Sequence, residues 1–240
     1  MPISVVQTGA PTQVTTASNQ WDVTFASAVT PGNVVVVIAR LGTNNRTMGA
    51  PTYTGGGGTF ASVVSNNATL FGGLAMWSKV EDNSVTQYRI TIASSLTAVG
   101  VAVPLELSGC DGATASASGT GTQGTTTTSP RMLDTGLDIA SGGIMIGAIS
   151  TQTAASWGTL TAPASFDQIS AAITGTGQIS HYFGRRTTSG TAIQGTATTT
   201  TGRTIFGIAA TWIEAPAGGQ PYAKRWGGVP HFGSRSLRRW

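Results

Sequence analysis

The sequence predicts an all-β protein of the β-sandwich class, and three observations support that prediction. Apolar and polar residues alternate over short segments, which is the period of a strand with one face turned inward. The 33 glycines and the long runs of threonine and serine suit many turns between short strands, while only 9% of the residues are charged. No stretch keeps apolar residues at spacings of three and four through three turns, so helices are not expected.

The strands of the first half follow from this alternation. They are predicted at residues 3–8, 21–25, 34–38, 59–64, 70–80, 88–92 and 99–107. Residues 34–38 form a continuous run of β-branched residues, which indicates a strand buried on both faces. Pro31-Gly32-Asn33 before this run is a turn signal, and residues 43–54 are expected to form an irregular loop.

A second, similar strand set follows later in the chain. Trp77 aligns with Phe183, and Lys79 aligns with Arg185, each 106 positions later. The last strand of the repeat aligns at a spacing of 107. The strands predicted for this half are residues 144–149, 157–160, 166–173, 178–185, 192–198 and 204–213. The chain therefore contains two pseudo-repeats of about five strands, at residues 30–109 and 140–214.

Two architectures accommodate two such sets. Each half forms a small sandwich of its own, or the halves interleave as two Greek keys in one jelly roll, which hides strand edges better. A half of this size, poor in large apolar residues, is marginal as a separate domain, which favours one jelly-roll-like sandwich over residues 1–214. Residues 110–130 between the repeats are mainly small and predict either an extended edge segment or a linker.

The basic character of the chain lies in its last 26 residues. The formal net charge is +4, from 13 basic and 9 acidic residues. Residues 215–240, here named the C-terminal arm, hold five basic and no acidic residues, so residues 1–214 carry 13 − 5 = 8 basic against 9 acidic. The candidate partner-binding residues of the arm are basic or aromatic: Tyr222, Lys224, Arg225, Trp226, Phe232, Arg235, Arg238, Arg239 and Trp240.

Arginines interleaved with aromatic residues suit two kinds of partner. They contact phosphates and stack on the bases of nucleic acids, and Trp, Tyr and Arg dominate the binding energy of protein interfaces. Docking on another protein is the favoured interpretation. Contact with nucleic acid and a solvated, disordered terminus, which leaves several large aromatic side chains in water, are the alternatives.

Patterns that indicate cofactor or metal sites elsewhere lack their context here. Residues 119–124 match the dinucleotide fingerprint Gly-x-Gly-x-x-Gly, which requires a strand before it and a helix after it. Small residues precede the match and four threonines follow it, so a loop is predicted. His181 and His231 have no cysteines or carboxylates at the spacing of zinc ligands, and a structural role is expected for His181.

The acidic residues and the single cysteine also indicate structural roles. Asp134 and Asp138, near Asp111, are predicted to cap turns rather than bind calcium. Cys110 excludes an internal disulfide and has no partner that marks it as a nucleophile. Lys79 and Glu106 are placed on neighbouring strands, where they can pair. We expect a protein that is not an enzyme and has no cofactor or metal.

Neither a secretory signal nor a membrane span is evident. The first residues lack a basic segment followed by an apolar one, and no apolar run reaches the length of a membrane-spanning helix. The sequence therefore predicts synthesis in a cytoplasm without a membrane partner.

Four motifs resemble a loosely defined group of β-sandwich proteins encoded by tailed bacteriophages and prophages. They are Gly-Asn-Val-Val-Val-Val at residues 32–37, Met-Trp-Ser-Lys-Val at 76–80, Tyr-x-Ile-Thr-Ile at 88–92 and Leu-Glu-Leu-Ser-Gly at 105–109. The resemblance covers about residues 30–213. It implies a non-enzymatic virion protein, made in the host bacterial cytoplasm, that decorates a capsid or belongs to a tail or fibre. It offers no catalytic residues.

This resemblance leads to an expected function with two alternatives. The expectation is a capsid decoration or appendage subunit, a homo-oligomer anchored to neighbouring virion proteins through the C-terminal arm. One alternative is a carbohydrate-binding or adhesive module in which exposed aromatic residues such as Trp157 or Tyr53 stack on sugars. The other is nucleic-acid contact through the arm.

Overall fold

The computed structural model of the chain confirms the all-β prediction. It describes residues 1–42, 47–52, 59–68, 72–91, 98–151, 156–172 and 180–217, and these residues contain strands, turns and loops but no helix. The strands are β1 Ser4–Thr8, β2 Thr12–Ser18, β3 Gln20–Thr24, β4 Val34–Leu41, β5 Ala61–Ala68, β6 Gly72–Val80, β7 Gln87–Thr91, β8 Ala98–Ser108, β9 Ala117–Thr127, β10 Leu137–Ile139, β11 Ile144–Thr151, β12 Leu160–Thr161, β13 Asp167–Ala172, β14 His181–Arg186, β15 Gly190–Ile193, β16 Thr198–Thr199 and β17 Arg203–Trp212.

Each half of the chain builds one large antiparallel sheet. The first sheet has the order β1-β8-β4-β6-β5, with β2 also paired to β8, and the second has the order β13-β14-β11-β17-β9. The two orders match strand for strand when β6, β4 and β8 are placed on β14, β11 and β17. Among the described strands none pairs across the two large sheets, so the interleaved Greek keys of a jelly roll are not confirmed. The halves form two similar sets that pack as one sandwich.

An apolar core shared by the two sheets lies between them. Val36 and Ile38 of β4 contribute to it from the first sheet, and Ile146, Phe183 and Phe206 contribute from the second. All five side chains are fully buried. Because burial of apolar surface is the main favourable term in folding, each sheet depends on the other half of the chain to cover its inner face.

Smaller strands cover the outer faces of the sandwich. The β3-β7 ladder lies over the first sheet and places Trp21 and Tyr88 in a second apolar cluster. The β10-β15 and β12-β16 pairs belong to the corresponding layer of the second sheet, where Trp157 and Tyr182 are buried. Every residue of β4 and β11 is consequently buried, which confirms the prediction of a strand buried on both faces at residues 34–38.

Equivalent turns precede the central strands of the two sheets. Gly32 and Gly142 each lie two residues before a central strand and adopt positive φ angles of 93° and 74°. Asn33 N donates to Thr30 O at 3.1 Å in the first turn, and Gly143 N donates to Ala140 O at 3.0 Å in the second. Glycine tolerates this left-handed backbone without steric cost. The turns therefore align β4 with β11 at a spacing of 110 residues.

This alignment corrects the predicted repeat by one residue in the next strand. Trp77 belongs to the outer cluster, whereas Phe183, its predicted counterpart, belongs to the inter-sheet core. Ile38 pairs with Met76 and Ala148 pairs with Phe183, so Met76 is the counterpart of Phe183. A shift of one residue exchanges the two faces of a strand.

The same correction applies to the predicted match of Lys79 with Arg185. Val35 pairs with Lys79 and Met145 pairs with Arg186. The structural counterpart of Lys79 is therefore Arg186.

The segment between the repeats contains an edge strand. Residues 119–124 lie within β9, so the loop predicted for them is wrong and the alternative of an extended edge segment is confirmed. A Cβ atom at Gly121 would lie 2.9 Å from Met132 O, and one at Gly207 of β17 would lie 2.5 Å from the same oxygen. These glycines permit the following segment to cross close over the sheet.

Truncation of Phe183 tests the shared core. Phe183→Ala is expected to lower the free energy of unfolding by about 3–5 kcal/mol, because it leaves a cavity between the sheets. Urea unfolding followed by circular dichroism and by tryptophan fluorescence is expected to remain a single coincident transition. Thr188→Ala on the exposed surface is the control and is expected to change stability by less than about 0.5 kcal/mol. Separate transitions for the two probes would contradict the shared core.

Candidate functional site

The predicted partner-binding residues of the C-terminal arm lie outside the described residues, which end at residue 217. They are Tyr222, Lys224, Arg225, Trp226, Phe232, Arg235, Arg238, Arg239 and Trp240. The described structure shows the root of the arm, residues 213–217, which is where the chain leaves the sandwich.

The root is attached to the body by backbone and side-chain hydrogen bonds. Trp212, the last residue of β17, is buried, and its Nε1 donates to Ala113 O at 3.0 Å. Ala215 N then donates to Gly109 O at 2.8 Å. Beyond this bond, Pro216 and Ala217 are exposed. The chain is therefore fixed to the sandwich as far as Ala215 and leaves it at the surface.

The N-terminus lies beside the root. The amino group of Met1 lies 3.9 Å from Glu214 Oε2. Met1 and Ile213 are two of the three large apolar side chains exposed in the described part of the chain, at 85% and 43%, and the third is Val6.

Lys79 does not pair with Glu106, and that prediction is wrong. Val35 lies between the two in the sheet, opposite Lys79 on one side and opposite Glu106 on the other. Lys79 Nζ lies 2.8 Å from Glu81 Oε2 instead, and both side chains are buried. The hydroxyl of Tyr88 donates to the same carboxylate at 2.6 Å. This buried ion pair belongs to the outer layer of the first sheet.

Glu106 is held by hydrogen bonds of its own. Its carboxylate accepts from Asn33 Nδ2 and Gln7 Nε2, each at 2.6 Å, and from Thr30 N at 2.9 Å. Desolvation is the largest single influence and raises the pKa of Glu106, but these hydrogen bonds together outweigh it and keep the pKa below its usual value. The side chain stabilises the turn before β4.

A buried arginine that the sequence analysis missed connects the two sheets. Arg40 Nε donates to Ser150 Oγ at 2.6 Å, and Nη2 donates to Thr151 O at 2.9 Å. The guanidinium lies 4.5 Å from the centroid of the Phe206 ring. Burial lowers the pKa of Arg40 to about 9. The alternation of Val36, Ile38 and Arg40 was the available signal, since it places all three on the inner face of β4.

His181 lies in β14, as expected for a structural histidine. It is buried, its Nε2 is 3.1 Å from Ser170 Oγ, and its ring centroid is 4.8 Å from that of Phe183. His231 lies outside the described residues. Within the described ranges, no group of three or more His, Cys, Asp or Glu side chains could hold a metal ion.

Two of the aspartates predicted to cap turns accept hydrogen bonds from backbone amides. Asp134 Oδ2 accepts from Thr122 N at 2.9 Å, and Asp138 Oδ1 accepts from Ala192 N at 2.8 Å. The two donors lie within strands β9 and β15 rather than in turns, so these contacts do not confirm the turn capping predicted for the two residues.

The aromatic residues proposed for stacking on sugars do not form an exposed site in the described structure. Trp157 is fully buried in the outer cluster of the second sheet, so the prediction that it is exposed is wrong. Tyr53 lies outside the described residues.

Comparison with known proteins found no matching family model, no similar curated protein and no similar solved structure. The described residues contain no helix long and apolar enough to cross a membrane.

Alkylation of Cys110 tests the environment of the only thiol. Burial raises the pKa of Cys110 to about 12, so at pH 8 the folded protein should hold roughly a thousandfold less thiolate than the unfolded chain. Iodoacetamide labelling followed by intact mass is expected to be slow without denaturant and fast in urea. Equal labelling rates in the two conditions would show that the thiol is not shielded.

Proposed function

We propose that this protein is a non-enzymatic structural component of a bacteriophage particle, a capsid decoration or appendage subunit attached to a neighbouring virion protein by its C-terminal arm. The observation that carries the proposal is the contrast between the body and the arm. The body has a nearly balanced charge, and its four buried charged side chains are Arg40, Lys79, Glu81 and Glu106, whereas the arm holds five basic residues without an acidic one.

The body supports a packing role rather than a chemical one. The buried carboxylates of Glu81 and Glu106 are each bonded within the fold. The buried Arg40 connects the two sheets rather than facing a cleft. Burial raises the pKa of the Cys110 thiol, which favours its unreactive, protonated form. This arrangement suits a rigid module that is displayed on a larger assembly.

The arm supports an attachment role. It follows a root that is bonded to the body as far as Ala215 and then exposed. Burial of its aromatic residues on a partner would offset the entropy lost when the arm becomes ordered. Its basic residues match an acidic partner surface, because complementary charge speeds association and selects the partner. The favoured partner is an acidic protein surface of the particle.

Attachment to particles tests this proposal. Full-length protein is expected to co-sediment with phage particles assembled without it, and protein lacking residues 218–240 is expected to remain in the supernatant. The truncated protein should keep the melting temperature of the full chain, because the three core clusters of the described structure lie between Ile3 and Trp212. Continued attachment of the truncated protein would contradict the proposal.

A second pair of variants distinguishes a protein partner from nucleic acid. Changing the aromatic residues of the arm to serine is expected to abolish attachment, since aromatic anchors dominate protein interfaces. A companion variant keeps the aromatic residues and changes the three arginines at positions 235, 238 and 239 to lysine; it is expected to weaken attachment less than the serine variant, because the charge and the aromatic anchors remain. Strong binding of the full chain to free DNA, falling steeply with salt, would support nucleic acid as the partner instead.

A further inference from the structure

An open groove lies on the outer side of the second sheet. Its volume is about 310 Å³, at the small end of the range of roughly 300–1,000 Å³ typical of ligand pockets. Its lining includes Pro163, Phe166, Arg186, Ile193, Gln194 and Thr196. Apolar, polar and cationic side chains therefore meet in a space suited to a ligand of about the size of a monosaccharide.

The equivalent place in the first half of the chain is closed. Lys79, the counterpart of Arg186, forms a buried ion pair with Glu81. The rings of Phe60 and Tyr88 cover its ammonium group at 5.5 and 5.8 Å. Glu106 lies one strand beyond, opposite Val35. A cation, its aromatic cover and the carboxylate of Glu81 thus complete this site from within the chain.

In the second half the cation and an aromatic residue are present, but the carboxylates are replaced. Thr188 follows Arg186 by two residues, as Glu81 follows Lys79. Thr211 lies opposite Met145, as Glu106 lies opposite Val35. Arg186 Nε donates to Thr188 O at 3.0 Å, and no described acidic side chain lies within 4.0 Å of its guanidinium.

The backbone around the groove is strained. Ser165 and Ala192 have φ angles of 62° and 50°, and they are the only non-glycine residues with positive φ in the described ranges. Ala192 lines the groove, and Ser165 lies between two residues that line it. Such conformations are unfavourable for residues other than glycine, and they cluster at functional sites and ligand contacts. The hydrogen bond from Ala192 N to Asp138 fixes this part of the wall.

We propose that this groove binds a small carboxylated sugar, of the hexuronic acid class. The carboxylate would bind the guanidinium of Arg186, which offers a planar pair of donors suited to that group. The apolar face of the sugar ring would lie against Pro163 and Ile193, and its hydroxyls would face Gln194 and Thr196. The ligand supplies the negative charge that Glu81 supplies in the first half. This site is independent of the C-terminal arm.

Titration of the full-length, ¹⁵N-labelled protein with glucuronate tests the proposal. Saturable amide shifts are expected at residues 164–166 and 192–196, and glucose at the same concentration is expected to cause none. Arg186→Gln is expected to weaken binding at least tenfold. Arg185→Gln is the matched control, because Arg185 is the adjacent residue on the opposite face of β14. Its Nε lies 3.7 Å from Asp167 Oδ2. It is expected to leave the affinity unchanged.

Thr188→Glu supplies a second, independent variant at an exposed position. A glutamate there restores the sequence relation found between Lys79 and Glu81, so it is expected to occupy Arg186 and weaken glucuronate binding at least tenfold. Its unchanged spectrum outside the groove would show that it is folded. The absence of saturable shifts up to about 50 mM glucuronate would overturn the proposal, because a ligand with a millimolar dissociation constant would saturate the site well below that concentration. Equal binding of glucose, or equal losses in the Arg185 and Arg186 variants, would also overturn it.

Discussion

The apolar contact between the two large sheets determines how every other part of the sandwich must be arranged. Each sheet is apolar on both faces, because β4 and β11 are buried along their whole length. A sheet of this kind must be covered twice. The inner cover is the other half of the chain, and the outer cover is a layer of short strands that returns from the same half. Neither half can therefore bury both faces of its own central strand with its own residues. The fold consequently requires both copies of the repeat.

The few buried charges follow the same layered plan. Arg40 lies between the sheets, and its guanidinium joins β4 to the end of β11 through Ser150 and Thr151. Lys79 and Glu81 lie in an outer layer, where the Tyr88 hydroxyl completes the pair. A buried charge is tolerated only when hydrogen bonds or a counter-charge replace its water. The halves diverge where Arg186 has threonines in the places of acidic residues, and the open groove occurs there.

Much of the fold could be predicted from the sequence, because period-two alternation and β-branched runs report burial directly. The continuous run at residues 34–38 indicated burial on both faces, and the structure confirms it. The face of Trp77 could not be obtained from the repeat alone, since an error of one residue in the predicted spacing, 106 instead of 107, exchanges the two faces of the strand. The sequence also could not show which carboxylate pairs with Lys79. In the folded sheet Val35 lies between Lys79 and Glu106, and this placement is set by the register of the strands. The burial of Trp157 depends on short strands with weak patterns.

The protein combines a body that completes its own packing with an arm whose residues are basic and aromatic. Within the body the two halves share one core, and we expect them to unfold together. Native-state hydrogen exchange of the amides in β4 and β11 tests this most directly. We expect the slowest amides of both strands to exchange with one free energy, equal to that of global unfolding. Exchange of one strand through a partial opening, while the other stays protected, would contradict the claim.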